Sequence, residues 1–569
     1  MFLRQATNSK TGRTYLSIVE GYWDSKAKIS RTKTIRKIGY LDEFQKDFPD
    51  PIAHFKDIAQ QMTAEKPINS VSLTFDLSEE MAANETPRSM GYAPLSKIYH
   101  ELELHTFFNN RARTLQSKYN TNNIMKMLVF SRILDPTSKK KSYENKDRFF
   151  GHTDFSLNDV YRSLTHFAKH IEACQNHINA RISKRNTEVV YYDVTNYYFE
   201  IDEADNLRKK GVSKEHRPDP IVQMGLFMDS DGIPISYKLY PGNTNDCETL
   251  RPGMAEIKRN CDFGRVIVVA DKGVSSHKNI VFNLLQGDGY VYSQTVRGGH
   301  KELKDYVLDN SGYRRIGDEY KIKSRIYPRE INMTTTSGKK KTVRIDEKQV
   351  IFYSEKYAQK AKADREAPLL KARDLVNNPT KYNRVTSYGA AKYVKNLNFD
   401  PKTGEILTAK HKPIFDERKL REDEKLDGYY AIISSELDKT DEEIIEIYRG
   451  LWRIEESFKV SKSDLETRPV FVTREDHIQA HFLICFIALT ILRLLQKRLG
   501  NQFSAHKIAE SLSRANCIHL KENHFLLFYR DEVIDALKAH MELDLTRKIM
   551  TLGEIKNIFG NVKKHSITL

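Results

Sequence analysis

Between residues 186 and 296 the chain changes texture, from helical periodicity to short apolar segments, and this stretch limits the possible folds most tightly. Glu188–Phe199 (EVVYYDVTNYYF), Ile221–Met228 and Ile233–Tyr240 read as three strands, the last two joined by the turn Asp229-Ser230-Asp231-Gly232. Arg265–Ala270 and Gly289–Val296 read as two more, with helical stretches at Glu248–Lys258 and Lys278–Leu285. A meander followed by strand–helix alternation predicts a mixed sheet in an α/β protein. Two carboxylates interrupt it. Asp193 stands midway along the first strand, and Asp271 directly follows the fourth. An isolated carboxylate among apolar residues is costly to bury, so Asp193 calls for a pairing group or a cation. Ligands gather at the carboxyl ends of strands in open α/β sheets, where Asp271 falls. Taken singly, each Asp reads equally well as a strand-end cap.

A third carboxylate lies far downstream, in Tyr448-Arg449-Gly450-Leu451-Trp452-Arg453-Ile454-Glu455-Glu456-Ser457-Phe458-Lys459-Val460-Ser461-Lys462. Helical spacing puts Tyr448, Leu451 or Trp452, Glu455, Lys459 and Lys462 on neighbouring positions of one face. One acid beside a row of ammonium groups suits a divalent cation next to a phosphate backbone. The plainer alternative is an exposed helix with Glu455–Lys459 pairing. The three acids together would come from two strands and a helix, a donor set for two hard cations.

Net charge is +16 across 569 residues, which points to a polyanionic partner, nucleic acid or an anionic membrane. The apolar run Phe482–Leu492 is too short to span a bilayer, and the N-terminus has no apolar signal region. The five cysteines are scattered without zinc-finger spacing. A cytoplasmic protein with no membrane partner is the expectation.

Residues 1–40 read as short strands carrying nine Lys or Arg against Glu20 and Asp24. Their interleaving with Tyr15, Tyr22, Trp23 and Tyr40 suits a DNA backbone, and equally a solvated hairpin with core aromatics. The expected organisation is a basic β-rich region over 1–70 and a helical DNA-binding region over 71–185. Catalytic core follows at 186–296 and 427–470, interrupted by a β-rich insertion at 297–426, and 471–569 is expected to be all helical. Within these, Asn122–Leu134 and 160–182 read as helices, Tyr320–Tyr327 as a strand, Thr334–Lys341 as a hairpin tip and Ala358–Val376 as a basic helix.

The segment around Glu455 resembles the DDE transposases of bacterial insertion sequences, in the group marked by Y-x2-R-x3-E-x6-K. Tyr448, Glu455 and Lys462 match that signature, while Leu451 stands where Arg is expected. Tyr191-Tyr192-Asp193-Val194-Thr195, Gly211–Asp219 and Pro241-Gly242-Asn243-Thr244-Asn245-Asp246 are also similar to the family, and the resemblance covers roughly residues 90–540. It implies an RNase H-like core with an insertion between the second Asp and the Glu. It further implies that Asp193, Asp271 and Glu455 are catalytic and coordinate two Mg²⁺ ions, with Mn²⁺ able to substitute. The implied reaction is cleavage at the ends of the element and strand transfer into target DNA, by a homodimer holding terminal inverted repeats, in a bacterial, nucleoid-associated setting. Lys459, Lys462 and Tyr448 would contact DNA phosphates, with Arg453 beside them and His216 and Arg217 approaching from a loop. Family members excise through a hairpin, with a base flipped against an aromatic ring. Trp452 is the candidate for that stacking, and a core anchor is the alternative. Asp246 is a candidate fourth acid. A nuclease without strand transfer and an inactive or domesticated DNA-binding protein remain the competing readings.

Overall fold

The computed structural model describes every residue except 10, 25–28, 65–72, 74–77, 79–85, 114, 116–117, 152, 202, 212–213, 215–218, 262, 317–319, 335–338, 385, 400–404, 408–411 and 565–569. The chain forms two compact units, Met1–Ala83 and Asn84–Leu569.

In the first unit β1 (Phe2–Thr7), β2 (Thr14–Asp24) and β3 (Ile29–Tyr40) make an antiparallel sheet in that order. The helix Pro51–Ala64 packs on it, and Leu16, Ile18, Val19, Phe55 and Ala59 are buried. Tyr15 and Tyr40 meet edge to face, and Arg13 lies over the Tyr40 ring.

The second unit is organised by a nine-stranded sheet. Its heart is β5 (Val189–Tyr198), β6 (Ile221–Met228), β7 (Pro234–Pro241), β8 (Ile267–Ala270) and β9 (Gly289–Gln294), in the spatial order β7-β6-β5-β8-β9. The first three are an antiparallel meander, and β8 and β9 run parallel to β5. This is the mixed sheet that the strand pattern predicts, in the α/β class that the resemblance implies. Side chains alternate across it as the strand period of two requires. Val190, Tyr192 and Val194 face a core completed by Leu250, Met254 and Ile257 of the helix Asp246–Asn260. Val189, Tyr191 and Tyr197 face the larger, opposite core, filled mainly by helices.

The axis of that larger core is the helix Glu475–Arg498. The apolar run of the sequence extends within it to a length and mean hydropathy (2.0) that could cross a membrane, yet 94% of that window is buried inside the protein. A helix apolar on all sides needs a surround. Here Tyr92–Glu101, Thr121–Leu134, Leu157–Ala168, Ala505–Arg514 and β7 supply it. The stretch 160–182, expected as one helix, is two, Leu157–Ala168 and Ile171–Arg181.

The segment between β9 and the signature region differs from a self-contained β-rich insertion. β10 (Arg314–Ile316), β11 (Tyr320–Thr334) and β12 (Lys340–Ser354) join the nine-stranded sheet itself through β15 (Tyr429–Ser434), which pairs with β9. The remainder includes the helix Glu355–Asn377, the short pair β13 (Val394–Lys395) and β14 (Ile414–Phe415), and a small core of Ala372, Leu375, Tyr393 and Leu420. Lys321, Lys323 and Arg325 share a face of β11 as their spacing predicts, covered by the rings of Tyr306, Tyr313 and Tyr429 among others. Part of the hairpin tip expected at Thr334–Lys341 lies outside the described residues.

The C-terminal region is not all helical. β16 (Asn516–His519), β17 (His524–Leu527) and β18 (Ile549–Thr551) form a sheet with β4 (Arg88–Ser89). Strands of three or four residues carry too few alternations to register against flanking helical periodicity.

Arg493, on the axial helix, is 7% exposed and donates to Ser457 Oγ at 3.1 and 2.8 Å and to Glu456 at 3.3 Å. This clamp ties the axial helix to the segment carrying Glu455. Arg493→Met leaves those acceptors without their buried donor and is expected to lower stability by roughly 3 kcal/mol, measured by urea unfolding; an unchanged midpoint would contradict the clamp.

Candidate active site

β5 and β8 pair in parallel with Tyr191 opposite Val269 and Tyr192 opposite Ala270. The next position on each strand is an acid, so this register sets Asp193 beside Asp271. Both continue the alternation of Tyr191 and Val269, which places them on the face of the larger core. The helix Trp452–Ser463 packs against that face through Ile454 and Phe458. Glu456 is taken by Arg493, so the neighbouring Glu455 turns outward and stays exposed.

The three acids act on one another electrostatically. Burial raises the Asp193 carboxyl to about 6, and the charges of Asp271 and Glu455 push in the same direction. Lys214 and the Val194 amide, which donates to Asp193 Oδ1 at 2.7 Å, oppose the rise. Asp271 Oδ1 accepts from Ser293 Oγ at 2.6 Å and from the Tyr448 hydroxyl at 3.3 Å. Burial beside Asp271 drives the Tyr448 phenol far above its ordinary range, so it stays a donor at neutral pH. Among the described residues no three His, Cys, Asp or Glu side chains already close around an ion. The donor set nevertheless fits a hard cation. It is all carboxylate, and its buried member lacks enough positive charge to ionise easily.

Two clefts are lined in part by neighbours of the acids, one by Lys272 and Ser293 and the other by Val194 and Gly273. One, of about 660 Å³, is lined by Lys272, His277, Ser293, His300, Arg329 and Arg344 among others. The second, of about 590 Å³, is lined by Thr195, Lys214, Gln223, Asn243, Asp246 and Gly273 among others. Asp246 therefore shares a cleft with the strand that bears Asp193, and Lys214 bears on both acids electrostatically.

The signature segment is two helices, Asp441–Arg449 and Trp452–Ser463, where one continuous helix was expected. The position between them requires a glycine: a Cβ at Gly450 would lie 1.8 Å from the Tyr191 hydroxyl, which donates to the Ile447 carbonyl at 3.2 Å. Beyond the break, Trp452, Glu455 and Lys459 are all exposed at helical spacing, and Lys462 continues the stripe with its ammonium over the Tyr197 ring. Trp452 is 54% exposed, which removes the core-anchor alternative. Arg453 does not join the stripe; it lies against the Gly232 turn and near the Tyr191 hydroxyl. Tyr448, expected to position the DNA backbone, donates to the Asp271 carboxylate. Leu451, at the signature Arg position, is 5% exposed within the larger core. His216 and Arg217 lie outside the described residues. Ser293 and Lys214 had no assigned role in the sequence reading. A Ser at the end of β9, one position past Tyr292, which pairs with Ala270, is the signal for the first.

The family described as Transposase DDE domain matches residues 207–491, half of the chain, and the IS1634 family transposase N-terminal domain matches residues 3–71. The chain belongs to the DDE transposase family, enzymes that act on DNA. Asp271 and Glu455 fall within the first match and Asp193 just before it. Domains of this family use divalent metal ions. Among solved structures, the chain is similar to one titled as a cryo-EM structure of the piggyBac transposase synaptic complex with hairpin DNA, at 9% identity and a TM-score of 0.38, covering 86% of this chain and 89% of that one. Comparison with curated proteins gives no match.

Two outcomes test this geometry. The folded-state value of Asp193, about 6, lies above the unfolded value of 3.8, so its contribution is fully present below pH 3.8 and is lost as pH rises through 6. Metal-free Asp193→Asn is therefore expected to be up to about 3 kcal/mol more stable than wild type at pH 7.5 and no more stable at pH 3.5, read from denaturant midpoints; equal midpoints at pH 7.5 would contradict it. Restoring the signature Arg, Leu451→Arg, buries a guanidinium and is expected to cost about 3–5 kcal/mol in the same assay.

Proposed function

We propose that this transposase cleaves DNA at the ends of its own element and joins the freed ends to target DNA, by cut-and-paste transposition. The observation that carries the reading is the convergence of Asp193, Asp271 and Glu455 on one face of the sheet. Asp193, Asp271 and Glu455 are the catalytic carboxylates, and they would hold two divalent cations, Mg²⁺ with Mn²⁺ as substitute. Bound there, the cations supply Lewis-acid charge at the attacking and leaving oxygens of an in-line displacement at phosphorus.

The chain's own residues prepare that site. Ser293 and Tyr448 fix Asp271 through its Oδ1 atom, which orients the carboxylate without neutralising it. Lys459 and Lys462 follow Glu455 along the helix and would hold backbone phosphates of the scissile strand. In the first step a water oxygen bonds to phosphorus while the bond to the 3′ oxygen breaks, and the departing 3′ oxygen takes up a proton. In joining, that 3′-hydroxyl becomes the nucleophile and a target-strand 3′ oxygen leaves. Trp452 offers an exposed ring beside Glu455, and we assign it to stacking an unpaired base during a hairpin stage. A homodimer pairing the two terminal inverted repeats is the proposed working assembly.

Cleavage of a labelled duplex carrying the element's own end and flank, in Mg²⁺, tests the assignment. Wild type is expected to cut at the end, and Asp193→Asn, Asp271→Asn and Glu455→Gln are expected to give no product. Full activity in any of the three would remove that residue from the site. Trp452→Ala is expected to retain first-strand nicking and to lose hairpin product by roughly 5- to 100-fold, the range for one base–aromatic stack. Assay of joining to a supercoiled target separates a transposase from a nuclease with the same core.

A further inference from the structure

The helix Pro51–Ala64 packs on the N-terminal sheet, and the strands carry exposed cations on both faces. Leu16 and Ile18 are buried on one face of β2 and Val19 on the other. Ser17 faces away from Leu16 and Ile18, and its cross-strand partners Arg4 and Lys37 share that side. Glu20 and Tyr22 share the face of Ile18, opposite Lys33 and Arg31 respectively. Arg4 and Lys37 thus lie on one face and Lys33 and Arg31 on the other, where Glu20 is an acid among the described side chains. Every residue from Ile29 to Lys37 is exposed.

The same strands outreach their support. Past Val19 no side chain of β2 or its partner stretch Ile29–Lys33 is buried among those described. The pairs Glu20–Lys33, Gly21–Thr32 and Tyr22–Arg31 continue as a two-stranded ribbon beyond the helix-covered core. A two-stranded ribbon fits the major groove of B-DNA, about 12 Å wide. An exposed ribbon this polar gains nothing by facing water alone, and its cations complement a phosphate backbone.

We infer that β2 and β3 form the element that reads the DNA, with the ribbon in the major groove and its outlying cations on the flanking phosphates. Arg31 faces base edges, and Arg4, Lys33 and Lys37 contact phosphates. This replaces the helical region 71–185 as the expected DNA reader. It rests on the chain acting on DNA and is independent of the catalytic assignment.

The test is equilibrium binding of the full-length Asp193→Asn protein, unable to cleave under the proposal above, to a labelled duplex with the element's own end and to a random duplex, over a range of salt. Lys33→Ala and Lys37→Ala are each expected to weaken binding to both duplexes and to reduce the salt slope by about 1. Arg31→Ala is expected to lower the preference for the element's end by roughly 5- to 100-fold. Glu20→Gln is expected to tighten binding to both, a gain that misfolding cannot produce. Unchanged slopes and preference in the three cation variants would overturn the inference. So would a change in oligomeric state at unchanged DNA affinity, which would make the ribbon a contact between copies of the chain. Loss of cleavage in the parent protein alone bears on the carboxylates and leaves the binding comparison intact.

Discussion

Everything at the active site depends on the parallel pairing of β5 with β8. Parallel strands need a crossover, and here it comprises β6, β7 and the helix Asp246–Asn260. Their register sets two carboxylates side by side, one midway along β5 and one at the end of β8, an arrangement that water or a cation must relieve. Asp193 bears the strain of it, being buried and facing Asp271 and Glu455. A slip of one residue would turn Asp193 to the opposite core, among Tyr192, Leu250 and Met254. The pattern of apolar residues on both faces of β5 forbids that slip, so the same residues that fold the sheet also place the acid.

The second constraint is the attachment of the third acid. Glu455 arrives from far along the chain and is held by apolar contacts of Ile454 and Phe458 and by the Arg493 clamp on Glu456 and Ser457. Two adjacent glutamates are thus placed differently, Glu456 in the clamp and Glu455 exposed within electrostatic reach of Asp193. Gly450 lets the helix pair bend around Tyr191, and Leu451 completes the apolar seam directly after it. The Leu at the signature position is thereby a packing residue, and the positive charge of the site comes from Lys214, Lys272, Lys459 and Lys462 instead.

The core strands were legible because each is long and apolar enough to show its period: Ile221–Met228 and Tyr429–Ser434 lie where the sequence places them. The acids stood out only in combination, since a carboxylate within VVYYDVT taken alone reads equally well as a strand-end cap. The sequence could not show that β11 and β12 extend the core sheet, because strand pairing with β15 is a long-range choice that local pattern does not encode. The need for glycine at 450 was hidden for a related reason. Both it and Leu451 keep helical backbone angles, and the close neighbour is Tyr191 on another strand. Ser293 and Lys214 reach the site only through tertiary contacts, and the C-terminal strands were too short to announce themselves.

The central claim is that Asp193, Asp271 and Glu455 together bind divalent cations. Iron-directed cleavage of the protein's own backbone tests it most directly: Fe²⁺ is added to the metal-free protein with ascorbate and peroxide, and the peptide fragments are mapped. The account predicts cuts clustered near 193, 271 and 455, competed away by Mg²⁺ and absent in Asp193→Asn. Cuts elsewhere, or an identical pattern in the variant, would contradict it.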